Sequence, residues 1–197
     1  FCEHVKNVVN TFNAAPDKYY GLYFSIVQSS GYGKSRILIE CCKRNFLNVA
    51  YMCLRDEKES GFPHSTQHHK DQTKKSLFSF LQSINEVEKL QVFIALTYRL
   101  CKELRGKKAK LYDFAGADFS FSALWDQVID LFLITQPTEY EAILKKFTDL
   151  QASLDRTTPE LLIVFDEARV LLESISETSK SIFRNLRRAQ FGLRSRS

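Results

Sequence analysis

The chain has 197 residues, 44% hydrophobic and 26% charged, with 7 Gly and 4 Pro. That is globular composition with length for one domain, and it excludes collagen-like and Pro/Gly-rich disordered classes. The net charge of +5 is localised: residues 184–197 hold five arginines (Arg184, Arg187, Arg188, Arg194, Arg196) and no acid, so residues 1–183 balance at zero.

Val5, Val8, Val9 and Phe12 recur at helical spacing, so the chain is expected to open with a helix, broken at Pro16-Asp17-Lys18. Leu22 to Val27 is a short apolar run with the length of a buried strand. Gln28 to Gly33 reads as a small polar loop. From Ser35 the period becomes helical, with Leu38, Cys41, Cys42 and Phe46 on one face. Asn48 to Leu54 reads as a second strand, and residues 55–75, broken by Gly61 and Pro63, as a loop. Ser83-x-x-Glu86 has the form of a capping box ahead of a helix carrying Val87, Leu90, Phe93, Leu96 and Leu100. Residues 105–118 read as a loop with a basic run at Lys107, Lys108 and Lys110. Phe121, Leu124, Trp125, Val128, Ile129 and Phe132 predict a helix closed by Pro137. Thr138-x-x-Glu141 predicts the start of another, with Tyr140, Ile143, Leu144, Phe147 and Leu150 inward. Leu161 to Phe165 reads as a third strand. A helix is expected from about Glu167 and a basic one around Ile182, Phe183 and Leu186. Three short buried strands separated by helices argue for an α/β domain with a parallel sheet.

No run approaches the roughly 18 apolar residues of a membrane helix. Phe1 to Asn13 is amphipathic and lacks the form of a signal peptide. Position 1 is Phe and the single Met is Met52, so the chain reads as cut from a longer reading frame. Five cysteines (Cys2, Cys41, Cys42, Cys53, Cys101) form an odd set without a C-x-x-C, which reads as free, mostly buried thiols of a reducing compartment.

Gly31-Tyr32-Gly33-Lys34-Ser35 falls between the first predicted strand and the helix that follows. Glycines let backbone N–H groups converge, and a helix N-terminus adds its positive dipole, so this is an anion cradle. Lys34 can reach terminal phosphates and the Ser35 hydroxyl can bind Mg²⁺. A lysine in a first helical turn opposes the macrodipole, which favours an anion there. The bland alternative is a structural turn. The usual pattern G-x-x-x-x-G-K-[ST] would place its first Gly at position 28, where this chain has Gln28. Ser29 and Ser30 supply small, flexible residues instead.

Leu161-Leu162-Ile163-Val164-Phe165 runs directly into Asp166-Glu167. Asp166 is the candidate Mg²⁺ ligand, through water or together with Ser35, and Glu167 the candidate general base toward water. The alternative is an N-cap followed by a favourable first-turn acid.

These two motifs resemble the Walker A and Walker B motifs of P-loop NTPases. The adjacent Glu167 is similar to the additional-strand catalytic-glutamate branch, which includes AAA+ ATPases. Gln28 through Arg36, Leu54-Arg55 with Gly61-Phe62-Pro63, Val164 through Arg169, and Phe183-Arg184-x-Leu-Arg187-Arg188-Ala189 are closer still to the NTPase domains of Crinkler-type effectors and related transposon-associated fungal and oomycete proteins. The resemblance spans roughly residues 20–190, and only its Walker parts are specific. It implies a three-layer P-loop NTPase-like parallel sheet with a helical insertion. It also implies a sensor strand lying between the Walker A and Walker B strands, yet residues 167–197 contain no clear β run. The C-terminal end of the sheet is therefore open to truncation, rearrangement or completion by a partner.

The expected organisation is one domain over 1–197. It comprises a phosphate-loop unit (19–55), a helical insertion (76–155), a Walker B unit (160–176) and a basic C-terminal segment (177–197). The expected cofactors are ATP or another NTP and Mg²⁺, with Ser29, Ser30, Gly31, Tyr32, Gly33, Lys34, Ser35 and Arg36 around the phosphates. Lys34 and Glu167 are the expected catalytic residues, and Ser35 and Asp166 the metal ligands. The expected activity is ATP binding with Mg²⁺-dependent hydrolysis driving a conformational switch. The alternatives are a non-hydrolysing switch or interaction module, and a nucleic-acid-binding domain led by the arginine tail. No membrane partner is expected; an oligomer or a flanking domain that completes the site remains open. The expected compartment is intracellular, cytoplasm or nucleus, or a host cell if the effector resemblance holds. His64, His68 and His69 lie close together in sequence, but no cysteine has metal spacing beside them, so a solvated loop is the default. Cys41-Cys42 reads as one buried helix face. The arginine tail reads as a solvated helix end, as a phosphate contact through Arg187 or Arg188, or as a nucleic-acid contact.

Overall fold

Residues 48–53 are apolar almost without alternation, and they form a strand buried along its whole length. A strand covered on both faces needs no period-2 pattern. The computed structural model describes residues 1–15, 18, 33–44, 48–55, 64–70, 73–106, 113, 121–152, 161–172 and 181–194. In chain order the elements are α1 (Cys2–Ala14), α2 (Lys34–Lys43), β1 (Asn48–Cys53), β2 (Gln67–Lys70), β3 (Thr73–Ser76), α3 (Leu77–Ser83), α4 (Val87–Gly106), α5 (Ser122–Ile134), α6 (Tyr140–Ala152), β4 (Leu161–Asp166) and α7 (Ile182–Arg194). Short 3-10 turns cover Pro137–Glu139 and Ala168–Leu171.

The fold is helix-rich and α/β in the general sense. Among the described residues, β1 and β4 form a two-stranded parallel sheet, and β2 and β3 a separate antiparallel hairpin. The parallel register runs from Asn48 opposite Leu161 to Cys53 opposite Asp166. Thr66 closes the other edge of β1. Its N–H donates to the Cys53 carbonyl at 2.9 Å, and its hydroxyl accepts from the Cys53 N–H at 2.9 Å. The Thr66 carbonyl then accepts from Leu77 N–H at 3.0 Å, which ties the start of α3 to the same point. β1 is thus held from both sides. β4 is half-buried at all six positions, unlike the fully buried strand expected, because β1 is its single partner among the described residues.

Helix α4 is the hub. Leu90, Gln91, Val92, Phe93, Ala95, Leu96, Thr97, Leu100, Cys101 and Leu104 are all buried, too many for one stripe. α5, α6 and α7 pack around it, which explains the breadth of that buried surface. On α5 the buried set is Leu124, Trp125, Val128, Ile129 and Phe132, the pattern expected from spacing. Phe93 stacks on Trp125 with ring centroids 6.0 Å apart, and Phe80 meets Phe132 edge-on at 5.7 Å.

Four local readings are corrected. Residues 67–70 and 73–76, read as loop as far as 75, form the antiparallel pair β2–β3, with Gln67 opposite Ser76 and Lys70 opposite Thr73; its Gln, His, Lys, Thr and Ser residues lack the apolar alternation that marks a strand. Leu77–Ser83 is a helix of its own, capped by the Ser76 side chain, which accepts from Ser79 N–H at 3.2 Å. Ser83 therefore ends α3 and does not cap α4; its hydroxyl donates back to the Phe80 carbonyl at 2.7 Å. Near α6 the cap forms two residues earlier than expected, with Gln136 N–H donating to Glu139 Oε2 at 2.8 Å. After Asp166 the chain makes a 3-10 turn over Ala168–Leu171 where an α-helix was expected, because Glu167 takes the left-handed conformation (φ 53°). The expected first strand, Leu22 to Val27, lies outside the described residues.

Candidate functional site

Parallel strands end at the same side of a sheet, and ligands of open α/β sheets bind beyond those carboxyl ends. β1 and β4 end together at Cys53 and Asp166. Leu54 N–H donates to the Asp166 carbonyl at 3.0 Å and locks this end.

Tyr51, Cys53, Val164 and Asp166 share one sheet face, given the register and strand alternation. The fully buried Tyr51 donates its hydroxyl to Asp166 Oδ2. Asp166 Oδ1 accepts from the Glu167 N–H at 2.9 Å. Arg55, two residues past β1, reaches across to Glu167, with Nη2 at 3.2 Å from Oε1. The four residues form a connected polar set: the Tyr51 hydroxyl to the Asp166 carboxylate, that carboxylate to the Glu167 backbone N–H, and the Glu167 carboxylate to Arg55. Behind them Trp125 Nε1 donates to the Tyr51 carbonyl at 2.7 Å, which pins the strand from the α5 side.

Glu167 sits at φ 53°, a conformation that costs a non-glycine residue roughly 1 kcal/mol or more. The strain turns its side chain back toward Arg55 instead of along a helix.

At the other motif, Gly33 occupies the N-cap of α2 at φ 82°. Only glycine takes that conformation without steric cost, so this glycine is required by the turn. Lys34 and Ser35 then open α2, with Arg36 exposed. The Gly33 carbonyl accepts from Ile37 N–H at 3.0 Å. Leu38, Cys41 and Cys42 are buried, and α2 packs on β1. The two motifs are therefore linked through β1: α2 lies on it and β4 pairs with it. Ser29, Ser30, Gly31 and Tyr32 lie outside the described residues.

The remaining candidates fall elsewhere. His68 and His69 are on β2 and not in a loop, and among the described residues no three His, Cys, Asp or Glu side chains group as a metal site. All five cysteines are free thiols, four of them buried. α7 packs along α4. Its Ile182, Leu186, Ala189 and Leu193 are buried, while Arg184 and Arg188 are exposed. The Arg187 guanidinium lies over the Phe183 ring at 5.9 Å. Among the described residues no helix is long and apolar enough to cross a membrane.

Tyr51 and Arg55 are the residues that motif reading missed as site members. A lone phenol in an otherwise apolar strand, and an arginine directly after that strand, were the available signals. Their partner could not be read without the strand pairing.

The architecture defines a helix-rich α/β domain with a polar cluster at the carboxyl end of a parallel strand pair. Residues 1–195 match the family model described as Domain of unknown function (DUF8735), and the chain belongs to that family. No curated protein and no solved structure matches it.

Proposed function

We propose that this chain is a P-loop-type nucleotide-binding domain that binds ATP with Mg²⁺ and hydrolyses it, built on a three-layer sheet of which β1 and β4 are part. The observation that carries the reading is the parallel β1–β4 pair. It brings an Asp-Glu pair to the carboxyl end of the sheet, beside the strand on which the lysine-bearing helix α2 packs. The left-handed Gly33 directly before Lys34 supports it further.

In this reading Gly31, Gly33 and Lys34 hold phosphate, and Arg36 lines the site. Ser35 and Asp166 would hold Mg²⁺, which supplies neutralisation of phosphate charge when bound. Asp166 fits that role. Tyr51 and the Glu167 N–H each donate to one of its oxygens, which orients the carboxylate, and a carboxylate is an acceptor-only group of the kind that takes a metal or a metal-bound water. Glu167 takes the proton of the attacking water. Arg55 holds the Glu167 carboxylate in the state described and has to yield it for that step. A Crinkler-like effector setting is proposed from the motif resemblance alone. Lys34→Ala is expected to abolish nucleotide binding, and Glu167→Gln to keep binding and stop turnover. Equal turnover of parent and Glu167→Gln, with binding intact, would favour the non-hydrolysing switch.

A second reading has its own observation. Arg184, Arg188 and the half-exposed Phe191 follow one another at spacings of four and three on α7, whose opposite face is buried. Two cations with an exposed aromatic ring beside them suit single-stranded nucleic acid. Replacing Arg184 and Arg188 by Gln should weaken single-strand binding and flatten its logarithmic salt slope by about 1.4. An unchanged slope would remove this reading.

A further inference from the structure

Cys2 and Cys41 are 39 positions apart, one in the first turn of α1 and one near the end of α2, and their sulfurs stand 2.9 Å from each other. A disulfide bond is about 2.05 Å long, so closure asks for a shift of under about 1 Å. We infer that Cys2 and Cys41 are a peroxide-reactive thiol pair that closes to an intrachain disulfide and so ties α1 to α2.

The accessibility of the two thiols sets the order of events. Cys2 is half-buried and Cys41 is buried, so a small hydroperoxide meets Cys2 first. Burial, with the neighbouring Cys2 adding to it, pushes the Cys41 thiol up to about 12, which keeps it protonated and unreactive until Cys2 has changed. The Cys2 sulfur attacks the peroxide oxygen; the O–O bond breaks and the departing hydroxide takes the thiol proton and leaves as water. That forms a sulfenic acid on Cys2. It also leaves the Cys2 sulfur electrophilic, 2.9 Å from the Cys41 sulfur. The Cys41 sulfur then attacks the Cys2 sulfur, and the displaced hydroxide leaves as water with the Cys41 proton. Two thiols and one hydrogen peroxide give one disulfide and two waters, the peroxide taking both electrons.

Selectivity follows from the other cysteines. Cys42, Cys53 and Cys101 are buried, and burial raises each of their thiols. Cys42, although adjacent to Cys41, is turned toward the backbone of Val49. The covalent ring would enclose residues 3–40 and with them all of Gly31 to Arg36.

The test is peptide mapping and intact mass of the full chain after one equivalent of hydrogen peroxide, beside Cys2→Ser and Cys41→Ala, each checked for folding by circular dichroism. The parent is expected to lose about 2 Da, to yield a Cys2–Cys41 linked peptide, and to regain both thiols with dithiothreitol. Cys41→Ala is expected to stop at a Cys2 sulfenic acid trapped by dimedone, and Cys2→Ser to resist the same dose. Mapping on the parent decides even if a variant fails to fold. A parent that keeps five thiols, that stops at a Cys2 sulfenic or sulfinic acid, or that links Cys2 to another cysteine or another molecule, overturns the inference.

Discussion

Tyr51 and Asp166 are 115 positions apart, and the Tyr51 hydroxyl donates to the Asp166 carboxylate inside the parallel strand pair. The contact joins the centre of the buried strand to the residue that would face Mg²⁺. It ties a half-buried acid of the candidate site to a fully buried residue of the core.

Tyr51→Phe keeps the ring and deletes the donor. A hydrogen bond to a charged group contributes about 1.5–3 kcal/mol, so urea unfolding at neutral pH should show a loss in that range. A variant as stable as the parent would mean the contact contributes nothing to the fold.

Trp125→Phe is expected to cost about 2–4 kcal/mol. It leaves the Tyr51 carbonyl without the 2.7 Å indole donor, and it opens space where Trp125 stacks on Phe93. Thermal unfolding checks this. A change below about 0.5 kcal/mol, within the range of ordinary surface substitutions, would show that the indole is dispensable.

Glu167→Gly and Glu167→Gln both lose the ion pair with Arg55, but only Gly relieves the backbone at φ 53°. The Gly variant should be the more stable of the two by about 1 kcal/mol, with neither turning over ATP. A Gln variant at least as stable as Gly would show that this turn is not strained.

The pH dependence follows from Cys101, which is 2% exposed and whose thiol burial pushes up to about 12 from 9.0. Above pH 9 the unfolded chain releases this proton while the folded chain keeps it. Its contribution to stability is therefore full below pH 9 and lost as pH rises toward 12, by up to about 1.4 kcal/mol per unit. Between pH 8 and pH 10 the parent should lose about 1 kcal/mol more than Cys101→Ala. Parallel losses would contradict a buried, protonated thiol.

The helices with a single apolar stripe were legible. Leu124, Trp125, Val128, Ile129 and Phe132 bury as their spacing predicts, and β1, apolar from Val49 to Cys53 apart from the Tyr51 hydroxyl, buries whole. The β2–β3 hairpin was not legible, because its residues carry neither apolar alternation nor a recognised turn pair. Local chemistry also misled at Ser83, whose hydroxyl serves the end of α3 and not the start of α4. Asp166 and Glu167 stood out as carboxylates ending an apolar strand. Tyr51 and Arg55 did not, since their roles depend on the β1–β4 register, a long-range fact with no local signature. The Cys2–Cys41 proximity is of the same kind.

The central claim is the phosphate site. Its most direct test is a titration of a fluorescent ATP analogue with and without Mg²⁺, parent beside Lys34→Ala. The account predicts saturable, Mg²⁺-dependent binding by the parent that the folded variant lacks. Equal binding by both, or none by a folded parent, would contradict it.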